Sequence, residues 1–114
     1  QRHHLLLTQT YERDYADASL AAREKFPRDA LVIAGMHSGA IYYYTDFAVL
    51  RWEFVQAHEF DRFRDLAQKA GRPICAVLFD VEEKEALRER CRGEWTRLAT
   101  LNNIALWRLE WPKP

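Results

Sequence analysis

Ala30-Leu31-Val32-Ile33-Ala34-Gly35-Met36-His37-Ser38-Gly39 is the stretch that decides the fold. Five apolar residues in succession, ended by a glycine, read as a strand buried on both faces. A second such run, Ile74-Cys75-Ala76-Val77-Leu78-Phe79, has the same character. A strand covered on both sides needs a layer on each side, and helical patterns occupy the intervals. Residues 58–70 give the clearest one. Phe60, Phe63, Leu66, Ala67 and Ala70 form an apolar stripe opposite Asp61, Arg64, Asp65 and Lys69, and Gly71 closes it.

Working outward, residues 11–26 predict a first helix, with Tyr15, Ala18, Ala22 and Phe26 on one face and Pro27 as its stop. Ser38 suits the N-cap of a short helix carrying Ile41, Tyr42, Tyr43 and Tyr44, although that aromatic run is equally compatible with extended chain. Residues 48–54 read as a second strand through Val49, Leu50 and Trp52. Residues 81–91 read as a charged helix ended by Gly93. Residues 98–101 read as a connector, with Asn102-Asn103 as a turn. Residues 104–111 alternate as a last strand, at an edge. The expected architecture is therefore α/β and three-layered, Rossmann-like in outline. About four strands make a mainly parallel sheet in an order like 2-1-3-4, with helices on both faces. Residues 1–10 are expected to be a flexible or juxtamembrane segment, 11–111 a single α/β domain and 112–114 a tail.

Composition narrows the function classes. The 114 residues carry 17 Lys+Arg and 17 Asp+Glu, so the formal net charge is zero. A neutral chain lacks the basic surplus by which nucleic-acid binders replace counterions, so nucleic acid is not an expected partner. Two cysteines make no disulfide scaffold, and with the scattered histidines they give no zinc spacing. No cofactor motif is present. The sequence begins at Gln1, and Arg2, His3 and His4 precede Leu5-Leu6-Leu7. That start is compatible with the flank of a removed membrane helix or with an ordinary terminus. The apolar run itself is far short of the roughly 20 residues of a membrane span.

In a sheet of this kind ligands gather at the carboxyl ends of the central strands, where the strand order reverses. Two turns meet there. The first, Gly35 to Gly39, offers Gly35, His37, Ser38 and Gly39 as an anion or carbohydrate contact; read structurally, it is a tight turn with a serine cap and a half-exposed histidine. It matches neither a phosphate-binding nor a dinucleotide-binding glycine pattern, and Ser38 stands in the wrong place for a nucleophile elbow. The second turn offers Asp80, Glu82 and Glu83, residues that suit Mg²⁺ or Ca²⁺ but equally suit the first turn of a helix. His37 and Asp80, if close, would make a proton-transfer pair. A Ser38–His37–Asp80 triad is disfavoured because adjacent residues in a turn rarely face each other. Tyr43, Tyr44 and Trp52 belong to an aromatic group readable as core filling or as a surface for a sugar, a membrane or a partner. Cys75 reads as a small buried hydrophobe, and a Cys75–Cys91 disulfide is conceivable only in an oxidising compartment.

The stretch Phe26-Pro27-Arg28-Asp29-Ala30-Leu31-Val32-Ile33-Ala34-Gly35-Met36-His37-Ser38-Gly39-Ala40-Ile41-Tyr42-Tyr43-Tyr44, followed by Val49-Leu50-Arg51-Trp52-Glu53, resembles the soluble C-terminal tails of multi-pass bacterial membrane proteins. Those proteins are related to the lipid-linked-sugar glycosyltransferases, the dolichyl-phosphate-mannose mannosyltransferase-like group. The segment from Leu66 to Glu82 or Glu83 extends the likeness, which covers about residues 11–109. Two departures stand out. Thr45-Asp46-Phe47 replaces a common Gly-Arg after the tyrosines, and Glu53 replaces a usual Asp. The resemblance implies a periplasmic domain appended to membrane spans. It would lack glycosyl-transfer chemistry of its own and would bind acceptor, partner or its own membrane core. No catalytic role comes with it to His37, Ser38 or Gly39. Two other readings stand beside it. One is a stand-alone α/β enzyme or anion binder using His37, Ser38 and Asp80. The other is an oligomerising module using the aromatic edge.

Overall fold

The computed structural model describes the backbone from Arg2 to Trp111 and the side chains from Asp14 onward; the tail assigned to residues 112–114 lies outside the described residues. A five-stranded mixed sheet forms the middle layer, made of β1 (Leu31–Ala34), β2 (Ala48–Arg51), β3 (Ile74–Phe79), β4 (Glu94–Leu101) and β5 (Ile104–Glu110). Its order is β2-β1-β3-β5-β4. β1 pairs in parallel with β2 and with β3, while β5 runs antiparallel to both β3 and β4. Every residue of β1 and β3 is buried, as expected of continuous apolar runs.

The period-2 pleat sends alternate side chains to two cores. Val32, Cys75, Val77, Phe79, Ile104 and Leu106 face one side, where α1 (Arg2–Lys25) and α2 (Ser38–Tyr44) cover them. Ile33, Ile74, Ala76, Leu78 and Leu109 face the other, under α3 (Ala57–Lys69) and a π-helical segment (Lys84–Arg90). The three-layer α/β arrangement thus follows from the two apolar runs.

Five expectations need correction. The connector at residues 98–101 is instead the second half of β4, so the sheet has five strands. A bulge between Arg97 and Ala99 makes Leu98 an extra residue, which shifts the alternation half-way and hides the strand from a period-2 reading. The last strand is not an edge. It sits between β3 and β4, antiparallel, because Asn102-Asn103 is a two-residue hairpin turn in which Asn102 takes a left-handed φ of 55°. The second strand stops at Arg51, and Trp52–Phe54 turn in a 3-10 helix. The helix expected over 81–91 is a 3-10 turn (Asp80–Glu82) leading into the π segment, whose wide bonding ends with the Cys91 N–H on the Ala86 carbonyl at 2.7 Å. The first helix, expected from Tyr11, is helical from Arg2.

Local chemistry sets the remaining ends. α3 starts with Gln56, whose N–H is taken by the Glu59 carboxylate at 3.0 Å, and ends before Gly71, whose φ of 67° suits a residue without a Cβ. α2 starts at Ser38, but Ser38 is its first residue rather than its cap. The cap position is His37, and no side chain caps it.

Candidate functional site

The parallel pairing of β1 and β3 brings their two following turns to one rim. They meet through Glu82. Its carboxylate is buried and accepts three hydrogen bonds: from Trp52 Nε1 at 2.8 Å and Met36 N at 3.2 Å on one oxygen, and from Phe79 N at 3.0 Å on the other. Among the described residues no cation pairs with it. Gly35 is the reason these groups can converge. A Cβ there would collide with the Glu82 carboxylate and the Trp52 indole nitrogen, and would stand 3.0 Å from Glu53 Oε1. The glycine therefore serves close approach rather than an open ligand loop.

On the opposite side of the same turn, His37 is fully buried rather than half-exposed. Its Nε2 lies 3.0 Å from the hydroxyl of Ser19, and that hydroxyl donates to the Tyr15 carbonyl at 2.8 Å. With its one proton committed there, Ser19 accepts from His37 Nε2–H. Nδ1 is then the lone-pair nitrogen, buried without a hydrogen-bond partner. Tyr15 and Phe79 enclose the ring, with centroids 5.1 and 6.2 Å away. Burial holds the imidazole well below its ordinary value, at about 4, against an opposing pull from the Tyr15 carbonyl. It is neutral and enclosed at neutral pH.

The predicted residues therefore divide. Gly35 and His37 lie at the rim but are consumed by packing. The Ser38 N–H bonds the Gly35 carbonyl at 3.1 Å, its side chain is half-buried, and Gly39 is exposed with open space around it. Asp80 is exposed, with its backbone N–H on the Asn103 carbonyl at 2.9 Å, and no hydrogen bond joins it to His37 among the described residues. The carboxylates of the second turn do not converge on one point, because Glu82 turns inward. Trp52 is not a surface aromatic; it is buried against Glu82. Tyr43 is 80% exposed and stacks edge-on against Tyr44 at 4.8 Å, on the other face of the sheet from Trp52. The three aromatics thus form no common surface. Cys75 and Cys91 are free and buried in the cores on opposite faces of the sheet, which excludes a bond between them in this fold.

The sequence reading missed Ser19, Glu82 as an inward acceptor, and the tryptophans Trp95 and Trp107 of the hairpin. Ser19 carried a signal. It lies one residue from Ala18 on the apolar stripe, and a polar residue at a core position requires a partner. Glu82 carried a weaker one, since a carboxylate three residues after the end of a strand can reach back to the free N–H there. No protein-family model matches this sequence, and comparison with curated proteins and with solved structures finds no match.

Proposed function

We propose that this chain is a non-catalytic extracytoplasmic domain of a membrane glycosyltransferase-like protein, on the periplasmic face of the bacterial inner membrane, with its strand-end rim turned toward its own membrane core. The observation that carries this is the filled crevice. Where a doubly wound sheet would hold a substrate, Glu82 bonded to Trp52 and His37 bonded to Ser19 occupy the space. Beside the exposed Asp80, three apolar side chains stand out from that rim: Met36 after β1, Phe54 after β2 and Val81 after β3, exposed by 59, 72 and 79%. α1 supports the same orientation. It runs antiparallel to β1, reaches the rim at Tyr15 beside His37 and Phe79, and continues helically toward Arg2. Among the described residues no helix is long and apolar enough to cross a membrane.

Two measurements test this reading. The chain incubated with a polyprenyl-phosphate-linked hexose in detergent is expected to release no sugar; turnover overturns the non-catalytic assignment. Flotation with vesicles containing anionic lipid is expected to retain the chain and to lose the Met36→Ser, Phe54→Ser, Val81→Ser triple variant. Equal behaviour of the two removes the rim from the reading.

A further inference from the structure

The helical layer over α3's face stops short of the edge strand. The step it leaves is a cleft of about 480 Å³, with Trp95, Arg97 and Trp107 as its floor, Lys84, Leu87 and Arg88 as one wall, and Asp80 and Glu83 at its end. We propose that this cleft is a saccharide site that takes one pyranose ring, acidic sugars in preference to neutral ones.

The lining has the two parts such a ligand needs. A pyranose presents a patch of C–H groups and a rim of hydroxyls. Indole surfaces match the first, and charged planar groups match the second by paired hydrogen bonds. Both indoles are held in place. Trp95 Nε1 donates to the Cys91 carbonyl at 2.9 Å, and the Arg97 guanidinium lies over the Trp107 ring at 4.8 Å. Arg97 also pairs with Glu83, 3.5 Å away. A site whose groups are locked before binding loses little freedom when occupied. Trp107 Nε1 is buried at the Glu83 end of the cleft, where its N–H faces that carboxylate. Burial raises the Glu83 carboxyl above its usual range, against the pull of Arg97 and of the Trp107 N–H. The charge favours an acidic ring. Lys84 and Arg88 make no ion pair among the described residues, and the three cations outnumber Asp80 and Glu83 by one. Gly93 borders the floor because a side chain there would press on Leu109. This site lies outside the filled crevice and does not depend on the membrane reading.

The test is titration of the ¹⁵N-labelled chain with methyl glucuronide, methyl glucoside and inorganic phosphate. The signals followed are the indole N–H resonances of Trp52, Trp95, Trp107 and Trp111. The glucuronide is expected to move Trp107 and Trp95 saturably and leave Trp52 in place, and the glucoside to do the same at several-fold higher concentration. Trp107→Ala, which removes the ring from the floor, is expected to weaken binding of both sugars about tenfold, a change of roughly 1.4 kcal/mol. Lys84→Ala with Arg88→Ala, both exposed, is expected to erase the preference for the glucuronide while the glucoside still binds. No saturable shift with either sugar overturns the proposal. So does a phosphate response equal to the glucuronide's, which would mean an anion site only, or a uniform shift of all four indoles.

Discussion

The Glu82 carboxylate, at the hub of the rim, should be among the most costly side chains to alter. Glu82→Ala removes the acceptor for Trp52 Nε1, Met36 N and Phe79 N together. Hydrogen bonds to a charged group contribute about 1.5–3 kcal/mol each, and orphaned buried donors keep their desolvation cost. Release of the buried carboxylate to water in the unfolded chain offsets part of this, leaving a net loss of about 3–5 kcal/mol. For a chain of this length that is roughly a 12–20 °C fall in Tm. It is also a large share of the roughly 5–15 kcal/mol that holds a typical domain folded. Glu82→Gln preserves shape but turns an N–H₂ toward at least one of the three donors, so it should lose about 2 kcal/mol. Thermal unfolding followed by tryptophan fluorescence reads both variants, with Trp52 as the local reporter. Gly35→Ala pushes a methyl group into the same carboxylate and indole, so it should destabilise on its own. Gly35→Ala with Glu82→Ala should cost less than the sum of the two, because removing the carboxylate makes room. A Glu82→Gln variant within about 0.5 kcal/mol of the parent, the ordinary range for surface changes, would refute the buried-hub account.

Two further outcomes follow from buried titratable groups. His37 titrates near 4 in the folded chain and near 6.5 unfolded, so the unfolded state takes up the proton first as pH falls. Its contribution is therefore complete above about pH 6.5 and is lost between there and pH 4, amounting to about 3 kcal/mol. Urea unfolding at several pH values should show that slope in the parent and a shallower one in His37→Gln; equal slopes would count against it. The thiols of Cys75 and Cys91 are both pushed up to about 12 by burial. Iodoacetamide at pH 8 should leave both unlabelled in the folded chain and modify both in urea, and rapid labelling of either when folded contradicts the burial.

Much of this could be read from the chain itself. The two unbroken apolar runs determined that β1 and β3 would be buried on both faces and lie at the centre. The stripe from Phe60 to Ala67 determined α3, and the residues around Asn102 determined a turn. These signals are local, carried by periodicity and by residues whose backbone preferences are strong. The antiparallel half of the sheet was not legible, because the bulge at Leu98 breaks the alternation that betrays a strand. The direction of β5 also depends on how short the connection before it is. The site was legible only as an address. Sequence placed the His37 and Asp80 turns at one rim, but which side chains turn inward is decided by competition for space. Gly35 has no Cβ, so Trp52 and Glu82 can close over it, and Ser19 from a distant helix turns His37 away from solvent. The hairpin cleft depends on the helical layer stopping before β4, a matter of how three layers of unequal width stack. No run of residues records that width. Spacing along the chain thus fixed the layers, and packing between them fixed what each polar group faces.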